Sequence, residues 1–289
     1  MEKIIAMIAA SLAAHASVSA AESAADKTRF NLFNPTPSAL LRELATDRPD
    51  KTECPFTVDA GHIQVESDLA VYSRDRDRDR GEDSQTDAWS LAAVNIKFGL
   101  TNSSDFQVVL EPFLRVKSVD RSTQPATVER NRGFGDVTLR YKVNFWGNDG
   151  GSSALGLMPF VKLPTSQHGL GNRAVEGGVI LPYNRSLAGG WELGTQLELD
   201  VMSNEGRGGH HAEYVSSITF GHDLAGALGG YVEVFSQHSA QRGSRWVGTL
   251  DLGLTYGVSR DIQFDAGVNL GLSDAAADVE FFSGISVRF

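Results

Sequence analysis

The sequence predicts an all-β fold, a transmembrane antiparallel up-and-down β-barrel, and three features carry that prediction. From Ile63 onward apolar and polar residues alternate with the period of an extended strand, in segments of about ten residues, the length a tilted strand needs to cross a bilayer core. Connections between segments alternate between long polar stretches and tight turns. The chain then ends on an amphipathic stretch with a C-terminal aromatic residue, VEFFSGISVRF from Val279 to Phe289.

Composition narrows the class. At 289 residues, 41% of them hydrophobic, the chain contains no apolar run long enough for a membrane helix. A barrel is compatible with that average, because each strand shows only half its residues to lipid. Thirty glycines suit many turns and closely packed strands. The formal net charge of -10 argues against nucleic acid and against adhesion to an anionic lipid surface. A lone cysteine, Cys54, excludes an intrachain disulfide framework.

Taken in order, residues 1–20 (MEKIIAMIAASLAAHASVSA) place Lys3 before an apolar run that ends in small residues. That pattern predicts a cleaved secretory signal peptide. Residues 21–61 form an irregular N-terminal segment broken by Pro35, Pro37, Pro49 and Pro55, with a short helix expected over Ser38 to Ala45. The barrel occupies 62–289.

Its first strand begins at Ile63, with Ile63, Val65, Ser67, Leu69 and Val71 opposed to Gln64, Glu66, Asp68, Ala70 and Tyr72. Trp89 to Leu100 is apolar and slips phase near Ala92, as a bulge would make it do. Phe106 to Lys117 puts Phe106, Val108, Leu110, Pro112, Leu114 and Val116 on one face. Phe134 to Trp146 does the same with Val137, Leu139, Tyr141, Val143 and Phe145. The remaining segments are Ala154 to Leu163, Val175 to Tyr183, Trp191 to Met202, Ala212 to His222, Ala227 to His238, Trp246 to Val258, Ile262 to Leu272 and the terminal strand.

Twelve segments result, an even number, as closed bacterial barrels require. The long connections are Ser73 to Asp87, Ser118 to Gly133, Pro164 to Ala174, Ser203 to His211, Ser239 to Arg245 and Ser273 to Asp278. The tight ones are Thr101 to Asp105, Gly147 to Ser153, Asn184 to Gly190, Asp223 to Gly226 and Ser259 to Asp261. Outer-membrane barrels have this asymmetry, with short turns on the periplasmic side.

Alternation alone does not say which face is inside. A soluble barrel would fill its interior with the apolar set, whereas a membrane barrel turns that set outward. The export signal, the terminal Phe289 and the aromatics at segment ends (Trp89, Trp146, Trp191, Trp246) favour the membrane sense. Phe289 is then the expected assembly signal, with the barrel-assembly machinery and outer-membrane lipid as partners.

Several strings resemble a family of proteobacterial outer-membrane proteins assigned to a meta-pathway of phenol degradation and labelled as transporters. They are Thr46-Asp47-Arg48-Pro49-Asp50 with Pro55-Phe56-Thr57-Val58 and Gly61-His62-Ile63-Gln64-Val65-Glu66, then Gly133-Phe134-Gly135-Asp136-Val137, Lys162-Leu163-Pro164, Glu176-Gly177-Gly178, Asp265-Ala266-Gly267-Val268-Asn269 and the final Arg288-Phe289. The resemblance runs from about Thr46 to the end of the chain. It implies a barrel, a Gram-negative outer-membrane address and a role in passage of small, aromatic compounds. It carries no catalytic residue.

The expected lumen lining is Glu66, Asp68, Glu111, Arg115, Asp136, Arg140, Lys142, Lys162, Glu176, Glu198, Asp200, Glu233, Asp251 and Asp265. Such mixed charges either set a field across a constriction or pair off and close the lumen. Asp47, Arg48 and Asp50 precede the first strand and either fold back as a plug or remain a solvated leader.

Other motifs are weaker. Asp75, Asp77, Asp79 and Gly81 imitate a calcium loop but misplace its glycine and intersperse four arginines. His210 and His211 lack a third ligand in sequence. His238 with Ser236 or Ser244 has no nucleophile motif around it, and Cys54 has no activating neighbour. The sequence therefore predicts a non-enzymatic channel for small solutes, needing no cofactor and no metal. A non-conducting structural barrel is the alternative, and an outer-membrane lipid-modifying enzyme a more distant one.

Overall fold

A computed structural model of the chain describes residues 26–77, 83–204 and 208–289. The expected signal peptide, 1–20, lies outside the described residues, as do Asp79 and Gly81 of the calcium-like loop. Among the described residues the helical content is two short 3-10 turns, Ser38–Leu40 and Ala188–Gly190, and the other regular elements are strands. The helix expected over Ser38 to Ala45 is thus a single turn. Pro35 and Pro37 set extended backbone ahead of it, and the chain leaves the turn extended at Leu41.

The strands make one antiparallel sheet in which each pairs with its sequence neighbours. The last pairs back onto the first, from Gln64 opposite Arg288 to Arg74 opposite Val279, so the barrel is closed. In chain order the twelve strands are β1 (Ile63–Asp77), β2 (Ser84–Leu91 and Val94–Thr101), β3 (Ser104–Leu110 and Phe113–Asp120), β4 (Thr127–Gly133 and Val137–Trp146), β5 (Ser153–Leu163) and β6 (Glu176–Ser186). They continue with β7 (Trp191–Ser203), β8 (His210–Ala225), β9 (Leu228–Ser239), β10 (Val247–Ser259), β11 (Ile262–Gly271) and β12 (Val279–Arg288).

The ladder settles the sense of the alternation. Lys142, Asp251, Asp105 and Gln107 are fully buried, while Leu197, Leu254, Phe145 and Phe281 are each at least half exposed. Ions lie within and hydrocarbon outside, which no water-soluble barrel does. Trp89 and Trp246 stand exposed toward the long-loop end, Trp146 and Trp191 toward the short-turn end, in the two belts that interfacial indoles favour.

Four adjacent strands change phase along one line across the wall. β1 has a bulge between Asp68 and Ala70. β2 breaks at residues 92–93, where Ala92 takes φ 57, a left-handed conformation that marks the slip expected from sequence. β3 breaks at 111–112 and β4 at 134–136, yet the pairing partners keep the same register on both sides, Val94 opposite Leu110 and Leu91 opposite Phe113.

A correction follows for β3. Phe106 and Val108 face lipid, but beyond Pro112, which cannot donate to the ladder, Phe113, Arg115 and Lys117 take the outer face and Leu114 and Val116 turn inward. Residues directly opposite one another share a face, and the chain of partners Phe281, Tyr72, Trp89 and Arg115 runs across the outside. Arg115 is therefore exposed on the exterior and is not a lumen residue.

Two expected loops also shorten. Ser73–Asp77 and Ser84–Asp87 extend the first hairpin, and Ser118–Asp120 with Thr127–Gly133 extend the second. Polar residues can continue the ladder there because water reaches both faces beyond the membrane.

The phase assignment predicts that Leu139→Arg, at mid-strand on the lipid face, destabilises the barrel by about 2 to 4 kcal/mol. Thr138→Gln on the opposite face should change stability by about 0.5 kcal/mol or less. Urea titrations of the two variants in lipid vesicles check the difference, and equal losses would contradict the assignment.

Candidate functional site

The lumen is crossed by the N-terminal segment, whose order of charges matches the walls it meets. Basic residues are concentrated on β2, β4 and β5 (Lys97, Arg140, Lys142, Lys162), and acids on β6 to β11 (Glu176, Glu198, Asp200, Glu233, Asp251, Asp265). The stretch Asp47-Arg48-Pro49-Asp50-Lys51-Thr52-Glu53 sends Asp47 and Glu53 to the first wall and its cations to the second, with Asp50 also on the acidic side.

Asp47 is the centre of the basic side. Its two carboxylate oxygens lie 2.5 Å from Lys97 Nζ and 2.5 Å from Lys142 Nζ, and both lysines are buried. Lys97 also contacts Glu66, whose Oε2 accepts the Asp47 backbone N–H at 3.1 Å. Burial alone would raise the Asp47 carboxyl, but the two ammonium groups outweigh it and hold the group well below the usual carboxylate range. Glu53 completes this side, 2.6 Å from Arg140 Nη1, with its backbone N–H donated to Gln196 Oε1 at 2.8 Å.

On the acidic side Arg48 forks between Asp265, 2.7 Å from Nη2, and Asp68, which contacts Nη1. It lies against β12 at Gly284, where an added Cβ would fall 2.1 Å from Nη2 and would displace the guanidinium from this position. Lys51 Nζ pairs with Asp251 at 3.1 Å and donates to Thr249 Oγ1 at 2.8 Å. Glu233 accepts from the Lys51 backbone N–H at 2.8 Å and from Thr52 Oγ1 at 2.5 Å. Among the described residues Asp50 has no salt-bridge partner. Burial first, and the nearby Glu233 second, push its carboxyl well above the usual range.

The segment is anchored again at the short-turn end. Asp59 is buried between Arg42, 2.9 Å away, and Arg288, 3.6 Å away. The His62 ring nitrogens lie 2.9 Å from the Phe289 carbonyl oxygen and 2.8 Å from that of Thr36. Gly99 admits this return strand, since a Cβ there would sit 2.1 Å from the Asp59 carbonyl oxygen.

Of the residues expected at the lumen, Glu66, Asp68, Arg140, Lys142, Glu233, Asp251 and Asp265 meet the crossing segment directly, as do Asp47 and Arg48 from within it. Lys162 pairs with Glu176 at 2.5 Å across β5 and β6, and Glu198 accepts from Gln196 Nε2 at 2.6 Å. Asp200 is buried beside Glu198. Asp136 accepts the Ser166 backbone N–H at 2.9 Å, and the Glu111 backbone carbonyl that of Gly135 at 2.9 Å, both near the phase break.

Lys51, Glu53, Lys97, Arg42 and Asp59 escaped the sequence reading. The run of alternating signs from Asp47 to Glu53 was the available signal for the first two. Lys97 was hidden by the phase slip that made its strand read as wholly apolar.

A cavity of about 670 Å³ lies between the segment and the wall, lined in part by Asp50, Thr52, Phe56, Glu192, Thr219 and Tyr231. The Tyr231 hydroxyl is buried and has no hydrogen-bond partner among the described residues. The histidine and cysteine motifs make no comparable site. His211 contacts Asn204 and Glu213, at 2.9 and 3.3 Å. His238 stacks on Trp246, whose Nε1–H is donated to Ser236 at 2.9 Å, and Ser244 donates to a backbone carbonyl. Burial pushes the Cys54 thiol up, further from the reactive thiolate.

Comparison with known proteins agrees with this architecture. The family model described as "Putative MetA-pathway of phenol degradation" matches residues 46–289. An outer membrane channel from Pseudomonas putida F1 is similar in fold at 12% identity, covering 85% of this chain and 100% of that one with a TM-score of 0.58. The NanC porin aligns at 9% identity over 78% of this chain and 100% of its own, TM-score 0.48. The translocator domain of an autotransporter from Neisseria meningitidis aligns at 9% identity over 78% and 88%, TM-score 0.46. No curated protein matches the sequence.

Because both buried lysines share one carboxylate, Asp47→Asn should weaken docking of the segment by about 3 to 5 kcal/mol. Trypsin digestion of the folded barrel, with the Lys51-Thr52 bond as reporter, checks this as faster cleavage. Adding Lys142→Met should restore part of the protection, since it removes the orphaned charge.

Proposed function

Since the chain belongs to the family described as "Putative MetA-pathway of phenol degradation", we propose that it is an outer-membrane channel for small solutes, aromatic compounds among them, gated by the segment that crosses its lumen. The barrel with its apolar exterior belongs to the outer membrane, and export proceeds through a cleaved signal peptide within residues 1–20. Phe289, closing the seam between β12 and β1, serves the barrel-assembly machinery as the end of the terminal strand.

One observation carries the channel reading. The lumen is filled by a tethered strand held by ion pairs and hydrogen bonds rather than by wall side chains meeting each other. Were that strand to move aside, Lys97, Lys142 and Arg140 would face Asp251, Asp265 and Glu233 across open water, the transverse field of a selective pore. The 670 Å³ cavity is of ligand size, and the Phe56 ring with the unpartnered Tyr231 hydroxyl suits one-ring molecules bearing a polar group. Passage through such a lumen is diffusive and needs no cofactor.

Planar-bilayer recording tests this. Wild-type protein should show a small, fluctuating conductance, Asp47→Asn a larger and longer-lived one, and benzoate or phenol should block it transiently. Absence of conductance from both proteins, each shown to be folded, would favour a closed structural barrel.

The pH dependence has a definite sign. Asp50 and Glu53 are both shifted upward, chiefly by burial, so the docked segment binds more protons than the released one. Their contribution to docking is complete below the ordinary carboxylate range and is lost as pH rises through the raised values. Asp47 behaves oppositely, but its depressed value keeps its contribution in place through mildly acidic solution. Open probability should therefore rise as pH is raised above the ordinary carboxylate range, and single-channel recording across a pH series measures it.

A further inference from the structure

The phase slip in β1 to β4 turns a set of basic side chains outward at the long-loop end, just beyond the aromatic belt. One row of directly opposed residues reads Tyr72, Trp89, Arg115, Arg132 across the four strands. The next row outward reads Arg74, Asp87, Lys117, Arg130. The rows lie two residues apart along each strand, about 7 Å, and the first contains the Tyr72–Trp89 ring pair, with centroids 4.7 Å apart.

The charges in these rows are unbalanced. Asp87 is taken by Arg74 at 2.9 Å, by Tyr72 and by Gln85. Arg115 then faces Arg132, and Lys117 faces Arg130, two adjacent like-charge pairs with no carboxylate partner among the described residues. Like charges placed directly opposite are destabilising in a sheet. An external anion removes that cost, and at this height, next to an interfacial tryptophan, the anions at hand are headgroup phosphates of the outer leaflet.

We infer that the outer face of β2 to β4, through Arg115, Lys117, Arg130 and Arg132, is a binding site for the phosphorylated glycolipid of the outer leaflet, its phosphates seated between the two like-charge pairs. Trp89, Leu91 and Phe113, all exposed directly alongside, cover the acyl chains beneath the phosphates. The chain's net charge of -10 conceals this patch, because the compensating acids lie inside the lumen.

The test uses the full chain, folded in detergent and titrated with lipid A while bound lipid is followed by native mass spectrometry. Wild type should bind bisphosphorylated lipid A, and each Arg or Lys replaced by Gln among the four should weaken binding roughly fivefold. Arg132→Gln and Lys117→Gln are measured singly as well as in the quadruple variant, so a folding defect in the latter leaves the test intact. Arg185→Gln, an exposed arginine at the opposite end of the barrel, should leave binding unchanged.

Dephosphorylated lipid A, or phosphatidylethanolamine, binding as tightly as the bisphosphorylated form would overturn the inference. So would single variants that bind like wild type, or displacement of the lipid by equimolar inorganic phosphate. Conductance of the variants should match wild type, so failure here and failure of the channel reading are separate results.

Discussion

The structure depends on one constraint: a barrel in lipid must hold its ions inside, and ions inside must be paired. Lys97 and Lys142 are buried at the centre of the lumen, and a lone ammonium in such a place is destabilising by several kcal/mol. The wall gives Lys97 a partner in Glu66. The segment supplies Asp47 to both lysines, and with it the charge that makes the basic wall tolerable. The same holds in mirror image for Asp265 and Asp251, met by Arg48 and Lys51. Wall and segment are each incomplete alone, which explains why an irregular, proline-broken stretch docks inside the barrel.

Much of this was legible in sequence where a periodic signal existed. The strands from Ala154 onward, the even strand count and the slip at Ala92 follow from a period of two, because burial on one face imposes that period. Arg115 was misplaced because the slip in β3 leaves no trace in hydropathy. Leu114 and Val116 continue the apolar series beyond Pro112 although they now face inward. The pairing of the segment was not legible either. Asp47 and Lys142 lie 95 positions apart, and nothing local to either residue names the other.

The phase slip links the interior to the exterior. A shift of one position in a single strand would leave its neighbours mismatched, burying apolar side chains against charged ones. Slips in β1, β2, β3 and β4 along one line keep these four strands in register with one another while inverting which residues meet lipid beyond that line, and the β1 bulge takes up the shift against β12. Below it the exterior is Phe106, Val108, Leu139 and Tyr141, suited to hydrocarbon. Above it the exterior is first Leu91, Phe113 and Trp89 and then arginine and lysine, suited to headgroups. The boundary coincides with Trp89, where an indole is most stable, so the wall changes its chemistry at the depth where the membrane changes its own.

The anchoring pattern also limits how the lumen can open. Arg48 touches Asp68 on β1 and Asp265 on β11 across Gly284 of β12, so it ties together the strands on both sides of the seam where the barrel closes. Asp59, held by Arg42 and Arg288, and His62, held against the terminal carbonyl, fix the chain at the same seam from the short-turn end. Withdrawing these residues would loosen closure itself. The stretch from Asp50 to Cys54 has no such role: it reaches toward β4, β7, β9 and β10, away from the seam. Within the channel reading, gating is therefore a swing of this middle stretch between fixed ends, with Asp47 as the bond that separates the part that moves from the part that holds the barrel shut.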